Sequence, residues 1–141
     1  AKGKMHNVYQ ISDEEAAILD ISLLGKEDMG ADTSRQAMAF LEEHGMEHKL
    51  SNKIGIAIEE MVENIYRYFG DKKVNIDLRL VVNKEGVVLS FCDDGPEFDP
   101  TTYQPEEKEE FAIDNIVMLR AVSKDIKYQR VIGLNKTLVY F

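Results

Sequence analysis

The sequence has no tryptophan and a single cysteine, Cys92. One thiol excludes an internal disulfide and any metal site built from several cysteines, and it suits a reducing, cytoplasmic setting. No apolar run approaches the roughly 20 residues that span a bilayer, and the opening AKGKMHNVYQ lacks the apolar centre of a signal peptide. Proline is confined to one stretch, as Pro96, Pro100 and Pro105. Positive charge is scarce: 17 lysines and arginines stand against 26 acids, a formal net charge of -9. The averaged field therefore repels phosphate backbones and anionic lipid surfaces, so neither direct nucleic-acid binding nor a membrane partner is expected. A local anion site survives that argument, because helix N-termini, backbone N–H groups and a bound cation hold phosphates inside acidic proteins. There is no Walker A run and no G-x-S-x-G, which removes the P-loop and serine-hydrolase readings.

What is present fits one globular unit. At 141 residues the chain has the commonest size for a single domain, and we expect one over 1–141, with 1–30 as an N-terminal strand region. It starts at Ala1 rather than Met, which suggests an excised or trimmed domain. AAILDISLL, residues 16–24, is a short apolar run compatible with a strand or a helix. Ala37, Met38, Phe40 and Leu41 at helical spacing before Gly45 predict a helix over about 33–44. Ser51 and Asn52 are candidate N-caps for a longer helix that runs to Phe69 and ends at GDKK. From Val74 to Val82 apolar and polar residues alternate as in a half-buried strand, NKEG at 83–86 is a hairpin turn, and VVLSFCDDG is the return strand. PEFDPTTYQPEEKEE reads as a loop, 111–122 as a helix, and the last seventeen residues as two strands about a turn at Gly133 to Asn135. This order predicts an α+β fold: a two-layer sandwich of a mixed, mostly antiparallel sheet covered on one face by about three helices.

IGIAIEEMVENIYRYF, residues 54–69, carries three glutamates and an asparagine. At 100° per residue, Ile54, Ala57, Ile58, Ile65, Tyr68 and Phe69 fall within about 80° of Met61 and form the core stripe. Glu59 and Glu63 fall opposite, on the solvent face. Glu60 and Asn64 stand four residues apart on the border of the stripe and face one spot. There an amide oxygen suits a hard cation, and a carboxylate one turn away suits a water near it. A border pair hydrogen-bonded to the next element is the plain alternative. The second constellation is CDDGPEFDP: Asp93 at a strand end can accept from an exocyclic amine, while Gly95 allows close backbone approach. Taken alone, a strand-terminating Asp-Asp-Gly turn with Pro96 is the plainer account of it. His44 and His48 are four apart, but Gly45 lies between them, so we read them, with His6, as surface histidines rather than metal ligands.

Taken together, AIEEMVENIYRY, DDGPEFDP and DIKYQRVIGLNKTLVYF resemble the GHKL ATPase superfamily with its Bergerat fold. The nearest likeness is to anti-sigma-factor serine kinases of the RsbW and SpoIIAB type, over roughly residues 30–141. The resemblance implies ATP and Mg2+ as cofactors. Asn64 would hold the metal, Glu60 would act as general base or water-orienting carboxylate, and Asp93 would read the adenine amino group. Gly95 would admit the adenine side, Phe98 would support that loop from the core, and Thr137 would lie close to the nucleotide. It also implies a protein partner, either a sigma factor or an anti-sigma-factor antagonist, and a possible homodimer. Three positions depart from the family pattern. Glu97 stands where D-x-G-x-G has its second glycine, and Ile113 and Asn115 align with the glycines of the phosphate-cradling lid, with EEKEE just upstream. Like charges there oppose a triphosphate, by around 1 kcal/mol per contact even under aqueous screening. Two functions follow as expectations: a protein serine kinase using Mg·ATP, or a scaffold of the same fold that docks a partner with weak or no nucleotide binding.

Overall fold

The computed structural model describes residues 16–24, 30–69, 74–102, 117 and 119–141. Five strands and two long helices are delimited within it: β1 (Ala17–Leu24), α1 (Gly30–Glu43), α2 (His48–Phe69), β2 (Asn75–Asn83), β3 (Gly86–Asp93), β4 (Asp125–Val131) and β5 (Leu134–Tyr140). Residues 117 and 119–122 are also helical and lead into β4. The ambiguous run at 16–24 is thus a strand. It pairs with β2 in register from Ala17 opposite Val82 to Leu24 opposite Asn75.

The strand order is β1-β2-β3-β5-β4, and each pairing is antiparallel. The expected α+β sandwich thus forms, and its sheet, expected to be mostly antiparallel, is antiparallel at every described pairing. The helical crossover after β3 does bring β4 back in the direction of β3, but β5 folds between them, so the two parallel strands never become neighbours. Along β2 and β3 burial alternates strictly, and the buried set on β3 is Val87, Leu89, Phe91 and Asp93. That face meets the helices in one core, to which α2 contributes Ile54, Ala57, Ile58, Met61, Val62 and Ile65.

Local chemistry shifted the helix boundaries. α1 begins at Gly30, three residues before the expected start, and ends with Gly45 at φ 83°, where Gly45 N donates to Glu42 O (3.1 Å) and Met46 N to Leu41 O (2.9 Å). That pair of bonds satisfies the last carbonyls of a helix and needs a residue that tolerates the left-handed region. α2 begins at His48, so Ser51 and Asn52 lie inside the helix and are not its caps. Ser51 is fully buried, and its hydroxyl donates to Met38 O on α1 at 3.2 Å, a tertiary partner that a cap rule based on neighbouring residues does not see. Nearby, Ser34 Oγ donates to Gly55 O at 2.6 Å, where α1 side chains pack directly on the bare Gly55 backbone.

The NKEG turn forms as expected: Asn83 Oδ1 accepts from Glu85 N (2.8 Å) and Gly86 N (3.2 Å). The last turn falls earlier than expected, at Ile132 (φ 45°) and Gly133 (φ 74°), and Asn135 belongs to β5. No helix among the described residues is long and apolar enough to cross a membrane.

Candidate functional site

β3 delivers Asp93 to its C-terminal end on the helix-facing side, 5% exposed. Its Oδ1 accepts from Gly95 N and from Asn135 Nδ2, both at 3.0 Å, while Oδ2 engages no described residue. The first bond closes an Asx-type turn, which is the local reason an Asp-Asp-Gly sequence leaves a strand here. Asp94 turns the other way and accepts from Asn75 N (2.8 Å) and Asn75 Nδ2 (3.0 Å), clamping the start of β2. Burial pushes the Asp93 carboxyl above the usual carboxylate range; the Asn135 and Gly95 hydrogen bonds oppose that, the Asp94 charge adds to it, and Arg130 counters it.

Gly95 is buried and Phe98 packs against the core, so the loop after β3 folds inward. Farther along, Pro100 O accepts from Arg120 Nε at 2.9 Å, which ties the loop to helical residues 119–122. Thr137 is 3% exposed and lies opposite Phe91 on β3 and Tyr128 on β4. Two residues from Asn135, it shares the inward face with Asp93. Asp93, Gly95 and Phe98 are gathered around Asn135 at the end of β3, and Thr137 lies two residues farther along β5 on the same face.

From the helix layer, Asn64 is 4% exposed, and its amide makes no hydrogen bond to a described residue. Glu60, one turn earlier, is half-buried, as expected of a border position. Glu63 is exposed, but Glu59 is half-buried against Gly30 of α1, which corrects its reading as plain solvent face. The side chains of Tyr68 and Phe69, and lid positions Ile113 and Asn115, lie outside the described residues. Of the histidines, His48 contacts the Glu42 carboxylate and His44 stacks obliquely on Phe40, with ring centroids 4.6 Å apart. Among the described residues no three His, Cys, Asp or Glu side chains cluster for a metal.

Sequence reasoning missed Asn135, Tyr128 and Arg130. Asn135 is 2% exposed and faces Asp93 across the β3–β5 ladder and Arg130 across the β4–β5 ladder. Its Nδ2 donates to Asp93 Oδ1 (3.0 Å), Pro96 O (2.8 Å) and Gly95 O (3.4 Å). Its Oδ1 accepts from the Tyr128 hydroxyl, Arg130 Nη1 (3.1 Å) and Phe98 N (3.3 Å). The only signal in the sequence was an asparagine in a strand of alternating pattern, where its residue type is disfavoured. A separate open groove of about 570 Å3 involves Ser90, Lys127, Lys136 and Leu138, which occupy the outward positions of the ladders, away from Asp93.

An antiparallel sheet layered by helices, with Glu60 and Asn64 one turn apart on the long helix and Asp93 at the end of a central strand, is the arrangement expected of a GHKL-type ATP-binding domain. Residues 26–139 match the family model of the histidine kinase-like ATPase domain, and the chain belongs to that family. No curated protein matches it.

Proposed function

We propose that this domain binds Mg·ATP and regulates a protein partner, in the manner of the anti-sigma-factor serine kinases its motifs resemble. The observation that carries the reading is a pair of buried polar groups with capacity to spare, the Asn64 amide and Asp93 Oδ2. The donor set fits the expected ligand: an amide oxygen for a hard cation and a carboxylate oxygen for an exocyclic amine. Asn64 would hold Mg2+, and Asp93 and Gly95 would receive adenine. Phe98 supports that loop, Thr137 offers a hydroxyl beside it, and Glu60 orients or deprotonates the attacking hydroxyl. Bound Mg2+ supplies neutralisation of charge on the phosphate oxygens. The partner would be a sigma factor or an anti-sigma-factor antagonist, whose serine is phosphorylated or whose surface is sequestered, with the domain acting as a homodimer.

One observation favours a second reading. Residues 103–116 contain no glycine and several acids, including Glu106, Glu107, Glu109 and Glu110, where the family cradles phosphates. On this reading the fold is a protein-docking scaffold with weak or no nucleotide binding. A thermal-shift titration separates the two. At tenfold excess over Kd, Mg·ATP should stabilise the protein by about 1.4 kcal/mol, and Asn64→Ala should abolish the gain. No shift at millimolar Mg·ATP leaves the scaffold. If ATP binds, phosphate transfer to a candidate partner, with Glu60→Ala as control, distinguishes a kinase from a nucleotide-gated binder.

A further inference from the structure

We propose that Asn135 is the positioning residue of this site: its carboxamide fixes the Asp93 carboxylate and the loop from Gly95 to Phe98 in one orientation, leaving Asp93 Oδ2 as the acceptor offered to a purine's exocyclic amine. The proposal rests on the nucleotide reading above. Its basis is the sorting of partners around a side chain that is 2% exposed. Every acceptor, Asp93 Oδ1, Gly95 O and Pro96 O, lies at the nitrogen end. Every donor, from Phe98, Tyr128 and Arg130, lies at the oxygen end. Reversing the amide would set donors against donors and acceptors against acceptors, so one orientation is enforced.

That orientation determines what the site presents. Oδ1 of Asp93 is occupied by Gly95 N and Asn135 Nδ2, which stops the carboxylate from rotating and directs its remaining oxygen away from the loop. A lone acceptor complements a 6-amino group and opposes a 6-oxo group, so for a purine seated with its C6 substituent toward Asp93 the device selects adenine over guanine. Arg130 extends it: Nη1 donates to Gly95 O at 2.8 Å as well as to Asn135, so the β4–β5 hairpin holds the loop at two points. The charged groups acting on Asp93 are Asp94 and Arg130.

The test measures Mg·ATP and Mg·GTP affinity by titration for the wild type, Asn135→Asp, Tyr128→Phe and a packing control, Ile76→Val. Asn135→Asp keeps the size and the acceptor for Phe98, Tyr128 and Arg130, but removes the donor and sets a carboxylate against Asp93. ATP affinity should fall on the order of tenfold or more, since hydrogen bonds to a charged group are lost. The ATP-to-GTP ratio should shrink toward one. The pH below which ATP binding fails should rise, because Asp93 loses a bond that favours its ionised form. Tyr128→Phe should shift affinity and ratio in the same direction by less, and it carries the test should Asn135→Asp not fold. Ile76→Val should lower the Tm and leave affinity and selectivity unchanged. Wild-type affinity and selectivity in Asn135→Asp, or in Tyr128→Phe where that variant carries the test, overturn the positioning role alone. An equal loss in Ile76→Val also overturns it. A wild type that binds no Mg·ATP removes the nucleotide reading, and this role with it.

Discussion

Replacing Asp93 by Asn should move stability and ligand binding in opposite directions. The new side chain keeps an oxygen for Gly95 N and Asn135 Nδ2, each 3.0 Å from Asp93 Oδ1, so the turn it closes survives. What changes is the second oxygen, which becomes an NH2 facing the expected amine. A lost charge-assisted bond plus an opposed donor costs about 3 kcal/mol, roughly a hundredfold in Kd. At an ATP concentration tenfold above the wild-type Kd, the wild type gains about 1.4 kcal/mol, equivalent to about 5 °C in Tm for a domain of this size. The variant should gain nothing readable. Without ligand the sign reverses. Burial raises the Asp93 carboxyl above its ordinary value of 3.8, so between 3.8 and the raised value the native state binds more protons than the unfolded chain. Stability contributed by this group therefore falls as pH rises through that window, and above it the full cost of burying the charge remains. The neutral variant lacks this cost, so its apo Tm at pH 7 should equal or exceed that of the wild type, and the difference should disappear below pH 3.8. Scanning fluorimetry with and without Mg·ATP across pH reads both effects. An apo Tm at pH 7 well below that of the wild type, or a retained ATP shift, would refute the reasoning.

Two further substitutions test the packing that carries the helix layer. In Gly55→Ala the new Cβ would lie 2.4 Å from Met38 Cγ and 2.5 Å from Met38 Sδ, beside the Ser34 hydroxyl. Overpacking of about 1–3 kcal/mol outweighs a helix-propensity gain of about 1 kcal/mol, so thermal denaturation should show a net loss that Met38→Ala in the same chain largely reverses. Tyr66→Phe removes a buried hydroxyl that has no hydrogen-bond partner among the described residues and whose pKa burial raises. Urea denaturation should show about 1 kcal/mol of added stability, and a loss of that size would show that the hydroxyl is bonded after all.

The elements with strong periodicity were legible. Alternation along β2 and β3 survives as strict alternation of burial, and the stripe through Ile54, Ile58, Met61 and Ile65 is the core face of α2. Asp93 and Asn64 stand out in the sequence, because an acid at a strand end and an amide on a helix border break local pattern, and the structure buries both. The misreadings share a cause. Ser51 looked like a cap because its neighbours in sequence were considered, whereas its partner, Met38 O, lies on another helix. The final turn was set at Gly133 to Asn135 because glycine and asparagine favour left-handed backbone; the structure uses Ile132 and Gly133, with a β-branched residue at φ 45°. That shift also concealed Asn135, since its role follows from facing Asp93 and Arg130 on two different strands, a relation that only the register establishes.

Buried polar residues in this chain differ in how far folding satisfies them. On the α1–α2 seam Ser34 and Ser51 donate to backbone carbonyls at 2.6 and 3.2 Å, so folding satisfies them. On β5 Asn135 is saturated, yet the Thr137 hydroxyl two residues on and the Asn64 amide of α2, 3% and 4% exposed, bond to no described residue, and the buried Thr33 and Tyr66 hydroxyls likewise lack a partner among the described residues. Folding alone gives no return for Thr137 and Asn64, so their removal should not weaken the apo protein. Thr137→Val is nearly isosteric, and it should leave apo stability unchanged or raise it by about 1 kcal/mol while lowering Mg·ATP affinity. A drop in apo stability of 1 kcal/mol or more would assign the hydroxyl to the fold. An unchanged affinity would remove Thr137 from the site while leaving Asn64 and Asp93 in it.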